Sequence, residues 1–149
     1  IAAFTKGYKT EEHVDVVTDL NAPGVVRARQ KRYDDALAIY ARSRAILTKI
    51  QGPDSSLMAD TVTRIGSTHL EAGKPASAVA ALEEALAMRL AGKAGPAELS
   101  WTKLELAKAL ALTGNKPRAI ALATEARADA DAAGDTAQST DAASWLAAQ

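Results

Sequence analysis

The sequence predicts an all-α solenoid of three helix-turn-helix repeats closed by a C-terminal capping helix. Three observations predict it. Apolar residues recur at spacings of three and four, the period of an amphipathic helix. Short Gly/Pro breaks separate these stretches, at Gly52-Pro53, Gly73-Lys74-Pro75, Gly92 to Pro96, Gly114 and Gly134. The landmarks also recur at one period. Gly24 and Gly66 are 42 residues apart, as are Ala36 and Ala78; Gly73 and Gly114, like Ala78 and Ala119, are 41 apart. Independent landmarks that share a period mark a repeat array. The chain of 149 residues is read as a single domain, 1–149, with repeats over 10–50, 55–91 and 96–133 and a cap over 136–148.

In chain order, residues 1–8 read as the tail of a preceding helix. Thr10, followed by Glu11, Glu12 and His13, opens the first helix of repeat 1, which runs to Arg29. Pro23 lies inside it and predicts a kink, because proline removes a hydrogen bond and clashes with the preceding turn. The second helix runs from Tyr33 to Ile50, with Ala36, Ile39, Tyr40, Ile46 and Leu47 as its apolar side. Ser55 or Ser56 caps the next helix. Its inner face is Val62, Ile65, His69 and Ala72, and Gly73 ends it as the residue needing positive φ.

Pro75 then opens a helix, where its missing N–H costs nothing. Ala78, Leu82, Ala85 and Met88 share one face, Leu86 and Leu90 lie alongside, and Glu83, Glu84 and Arg89 point toward the other side. Small residues at Gly66, Ala78 and Ala85 stand where helix axes would approach closely. Overpacking there through Ala85→Leu is expected to destabilise. Repeat 3 has helices over residues 97–112 and from Pro117 to Ala133, and the cap is anchored by Ala142, Trp145 and Leu146.

Composition narrows function. Lys plus Arg and Asp plus Glu are 18 each, so the net charge is zero, which argues against nonspecific attraction to nucleic acid or an acidic membrane face. The sequence has no Cys, which excludes disulfides and thiolate metal sites. No apolar run reaches the ~20 residues of a membrane span, and no signal-peptide pattern opens the chain. The start at Ile1 reads as a fragment of a longer protein or a processed one. The expected location is cytoplasmic.

No pattern for catalysis emerges. His69 falls at a helix-packing position and His13 at a helix start. Glu11-Glu12 and Glu83-Glu84 are adjacent pairs whose members diverge on a helix, and they read as solvated faces. No nucleophile elbow or phosphate loop is present. The expectation is a noncatalytic protein with no cofactor and no metal.

The unit built on Ile65, Gly66, His69, Gly73, Ala78 and Ala85 resembles the tetratricopeptide repeat, and it is echoed downstream by Leu106-Ala107, Leu110, Gly114, Ala119 and Ala126. The period exceeds that family's usual ~34 residues. A longer variant, the kinesin light chain type, is similar: His13-Val14-Asp15-Val16-Val17, Leu20-Asn21 and Gly24 match its first helix, and Arg32-Tyr33-Asp34-Asp35-Ala36-Leu37 its second. Pro23 departs from the Leu found there. The resemblance implies a right-handed α-solenoid whose first helices line a concave groove.

Thr18, Asn21 and Val25, then Asp60, Thr63 and Ser67, then Trp101, Leu104 and Lys108 would face that groove. Asn21 would hold a peptide backbone, and Trp101 would be an apolar anchor. Lys103, Lys108 and Arg64 do not complete the family's carboxylate clamp. The implied function is a noncatalytic protein-interaction module that binds a peptide or partner helix. It would form part of a larger bacterial signalling protein. The alternative is self-association, or a scaffold or regulatory tail of a Ser/Thr kinase or transcription regulator. Its partners are protein or peptide, without nucleic acid or membrane.

Overall fold

The computed structural model describes the backbone of residues 14–149 and the side chains from residue 21 onward. The expected helix opening at Thr10 to His13, the Thr18 side chain and the segment 1–8 lie outside the described residues. Among the described residues there are seven helices and no strand: α1 (Val14–Arg29), α2 (Tyr33–Ile50), α3 (Ser56–Glu71), α4 (Pro75–Ala91), α5 (Pro96–Leu112), α6 (Lys116–Ala133) and α7 (Thr136–Ala147). The all-α repeat fold read from the sequence is the observed one. The helix α1 continues through Pro23 to Arg29.

Local chemistry sets the helix ends. The Ser55 hydroxyl accepts the Met58 N–H at 3.1 Å and caps α3. Asp135 does the same for α7 through Gln138 N–H at 3.0 Å. Pro75 and Pro96 stand in the first turns of α4 and α5. At the far end of α3, Gly73 has φ 74°. There the Lys74 N–H reaches the His69 carbonyl at 2.9 Å and the Gly73 N–H reaches Leu70 at 3.1 Å, which closes the last turn.

Each helix packs on its neighbours in sequence. In addition α1 touches α3, α3 touches α5 and α5 touches α7, whereas no two even-numbered helices are in contact among the described residues. The odd-numbered layer is therefore the tighter one, and the array curves toward it.

Close approach within each pair depends on one small residue. A Cβ on Gly66 would lie 2.4 Å from Leu82 Cγ, and one on Gly24 would lie 2.5 Å from the Tyr40 ring. The third pair has Ala107 and Ala123 at the same register, both fully buried. Ala36, Ala78, Ala85, Ala119 and Ala126 are fully buried as well.

The apolar core forms two clusters. One joins Ile46 and Leu47 of α2 to Met58 and Val62 of α3 and to Ala85. The other runs from Leu82 and Leu86 of α4 through α5 and α6 to Ala142 of α7, with Trp145 and Leu146 packed on it. Thus α4 belongs to both.

Three details differ from the sequence reading. Leu90 is 58% exposed rather than part of the inner face. Arg89, expected on the outer face, is buried. Glu83 and Glu84 are paired rather than simply solvated: Glu84 binds Arg44 of α2, and Glu83 binds Arg118 of α6. They diverge as adjacent helical residues must, one toward each neighbouring helix.

Candidate functional site

The odd-numbered helices carry a groove made of three linked concavities. The first, about 370 Å³, is lined by Asn21, Ala22 and Val25 of α1 and by Leu57, Asp60 and Arg64 of α3. The second, about 230 Å³, shares Val25 and Arg64 with the first and adds Ser67, Glu71, Trp101 and Glu105. The third, about 630 Å³, shares Glu71 and Glu105 with the second and extends along Lys108 and Leu112 to Trp145 of α7. The shared residues make the three concavities one path across α1, α3, α5 and α7.

Helical geometry explains which side chains reach it. Asp60, Arg64, Ser67 and Glu71 are spaced by four, three and four along α3 and so share one face. The equivalent positions 41 residues on are Trp101, Glu105, Lys108 and Leu112 of α5.

The sequence-predicted residues divide accordingly. Val25, Ser67, Trp101 and Lys108 line the groove. Thr63 and Leu104 do not, which corrects the expectation. Thr63 is fully buried, with its hydroxyl bonded to the Ala59 carbonyl at 2.8 Å and to Thr102 Oγ1 at 3.1 Å. Leu104 is a core residue, 1% exposed. Both occupy the register that follows Asp60 and Trp101 by three; the groove is instead reached by the register that follows by four.

Asn21 shares that buried register and is only 7% exposed, yet it lines the first concavity. Its Nδ2 donates to Thr61 Oγ1 at 3.1 Å. Its Oδ1 is buried and has no hydrogen-bond partner among the described residues. Ser67 Oγ, in the second concavity, is in the same condition. Arg64, named from the sequence only beside the carboxylate clamp, also lines it, and two residues not singled out from the sequence complete the lining: Glu71 and Glu105. The one signal that would have found them was the i, i+4, i+7, i+11 spacing from Asp60 and Trp101.

The electrostatics are mixed. Arg64 is ion-paired with Asp60, Nε to Oδ2 at 3.4 Å, and its guanidinium lies 5.4 Å from the Trp101 ring centroid. Lys108 pairs with Glu105 at 2.9 Å. Burial pushes the Glu71 carboxyl up, the nearby Glu105 charge adds to this, and Lys108 opposes it. Burial also raises the Tyr40 phenol beneath the second concavity.

Lys103 is committed elsewhere. Its ammonium holds Asp129 at 2.7 Å and Glu125 at 3.1 Å on α6. Burial works against its charge, but those two carboxylates more than offset it and raise its pKa. His69 is half-buried, away from these concavities, and burial followed by the Lys74 charge lowers its pKa. Among the described residues no group of His, Cys, Asp and Glu is arranged to hold a metal ion, and no helix is long and apolar enough to cross a membrane.

Comparison with known proteins follows the same lines. Residues 20–91 match the family model described as tetratricopeptide repeat. No curated protein matches the chain. A solved structure, BtubC (BKLC) from P. vanneervenii, superposes with a TM-score of 0.76 at 23% identity over 83% of this chain. The match spans 50% of the length of that protein, and it shows a shared fold. Tetratricopeptide repeats generally mediate protein–protein interaction. With the 41–42-residue period, the small residues at each helix crossing and the paired helices over the matched segment, residues 20–91 are similar to the tetratricopeptide repeat, and the other described helices continue the same helical-repeat fold.

Proposed function

We propose that the chain is a noncatalytic binding module that holds an extended peptide segment along the α1–α3–α5 groove. The observation that supports this is the placement of Asn21 Oδ1 and Ser67 Oγ. Both are buried, both lack a hydrogen-bond partner among the described residues, and both line the same path. A buried polar atom left unpaired costs about 1–3 kcal/mol. An extended peptide offers N–H donors and C=O acceptors in alternation and would return that cost on binding.

Trp101 and Val25 add apolar contact area beside Ser67 in the second concavity. The long period and the residues from Arg32 to Leu37 support placing the repeats with the longer kinesin light chain type. A role as scaffold inside a larger signalling protein would use the same groove and change only the origin of the segment that fills it.

The test is selection of peptides on the folded domain from a random display library, followed by affinity measurement against two variants. Ser67→Arg fills the second concavity. Leu90→Arg alters an exposed residue of α4 outside all three concavities. The expected result is a loss of about tenfold or more for Ser67→Arg, equivalent to ~1.4 kcal/mol, with Leu90→Arg binding as the parent does. The reverse pattern would place the interface on the even-numbered helices and sink the groove reading.

A further inference from the structure

Behind the groove, and outside its lining, stands one buried cation. Arg89 of α4 lies 42 residues after Leu47 of α2 and 41 before Ala130 of α6, and both of those are fully buried apolar residues. The position is thus a core position in all three helices, and only α4 fills it with a charge. The Arg89 side chain is 1% exposed.

Each of its three guanidinium nitrogens faces a partner. Nε donates to Thr102 Oγ1 at 2.8 Å. One terminal nitrogen donates to Asp60 Oδ1 at 3.2 Å, and the other lies 3.8 Å from Glu98 Oε1. Its Cζ is 5.9 Å from the Trp101 ring centroid. The Thr63 hydroxyl proton is used on the Ala59 carbonyl, so Thr102 must donate to Thr63, and Thr102 Oγ1 is left as the acceptor for Arg89. The bonds therefore run in one direction from α4 through α5 to α3.

We propose that Arg89 is the positioning residue of the groove: from inside the α3–α4–α5 junction it fixes Asp60 and the Trp101 ring, and through Asp60 it fixes Arg64. Asp60 is the shared element, with Oδ1 on Arg89 and Oδ2 on Arg64. Trp101 has both guanidinium groups near its ring. Stability alone does not account for a cation here, because a buried ion pair replaced by well-packed apolar residues is often neutral or stabilising. A planar fork, in contrast, orients several partners at once. The inference rests on the groove being the binding site.

The test separates the two. In a Trp145→Phe parent, Trp101 is the sole tryptophan. Arg89→Leu installs the residue that α2 carries at this register, and Arg89→Lys keeps the charge without the fork. Urea unfolding and acrylamide quenching of Trp101 are read on the free domain, and affinity for a library-selected peptide is read afterwards.

The expected result for Arg89→Leu is a lower urea midpoint, because Thr102, Asp60 and Glu98 lose their partner, with Trp101 quenched about twofold faster and peptide affinity weakened about fivefold, the size of one lost cation–π and orienting contact. Arg89→Lys should restore neither. Unchanged quenching in folded Arg89→Leu would overturn the proposal, as would faster quenching with unchanged affinity. Failure of the groove itself shows separately, in the Ser67→Arg comparison. Arg89→Met, unbranched and nearer in length, replaces the leucine variant should that variant not fold.

Discussion

At the scale of residues, the fold depends on a matched pair at each helix crossing. Gly66 leaves a Cβ-sized gap that Leu82 fills, and Gly24 does the same for the Tyr40 ring. Where the even helix carries only Ala123, the odd helix affords Ala107. The two positions are thus one volume shared between two residues. Gly66→Ala alone should cost about 1–3 kcal/mol through overpacking, less the ~1 kcal/mol that alanine gains over glycine in a helix. Leu82→Ala alone should cost about 2–5 kcal/mol. The double variant recreates the Ala107–Ala123 pair, so its cost should fall below the sum by about 1 kcal/mol or more, measured by urea denaturation as a double-mutant cycle. Additivity within ~0.5 kcal/mol would mean that the two positions do not share that volume. These crossings were legible in the sequence because a glycine in a helix interior needs a packing reason. Arg89 was not legible. Its charge places it on the outer face by composition, and only its register with Leu47 and Ala130, both apolar, argues for the core.

At the scale of elements, the turns repeat as strictly as the helices. The left-handed position after α3 is Gly73 and after α5 is Gly114; the equivalent position after α1 is Lys31, with φ 60°. It makes the same closing bonds, Arg32 N–H to the Arg27 carbonyl at 2.9 Å and Lys31 N–H to Ala28 at 2.8 Å. After the even helices the series is Gly52, Lys93 and Gly134, and Lys93 has φ 52°. A residue with a Cβ in this conformation costs about 1–2 kcal/mol. Lys31→Gly should therefore raise stability by about 0.5–1 kcal/mol, after the larger unfolded-state entropy of glycine is subtracted. Lys93→Gly should add a similar amount independently, since the two turns are distant. Thermal unfolding checks both, and a fall in stability would show that the lysine side chains make contacts worth more than the backbone strain. The glycine turns could be read from the sequence; the lysine turns could not, because lysine carries no signal for positive φ. The groove was misread in part for a related reason. Thr63 and Leu104 stand one residue before Arg64 and Glu105, and one residue is about 100° around a helix, enough to move a side chain from the groove into the core.

At the scale of the whole molecule, contacts are local, and among the described residues no end of the array touches the other. Among the described residues the helix α7 packs on α6 and α5 alone. Its contribution is Ala142, fully buried, and the half-buried Trp145 and Leu146. In a stack of this kind stability is a sum of unit terms and neighbour interfaces rather than one indivisible quantity. Ending the chain at Gly134 should therefore remove roughly 2–3 kcal/mol, about one fully buried apolar side chain's worth of area, and remove it unevenly. The helices α5 and α6 would lose their cover, whereas α2 and α3 belong to the other apolar cluster, which reaches no further than α4, at Ala85 and Met88. Native-state hydrogen exchange resolves this helix by helix. Exchange should accelerate most in α6, less in α5, and little in α2 and α3. A uniform acceleration would instead show that α4, which joins both clusters, couples them into a single cooperative unit, and the solenoid would then unfold as one body despite its local contacts.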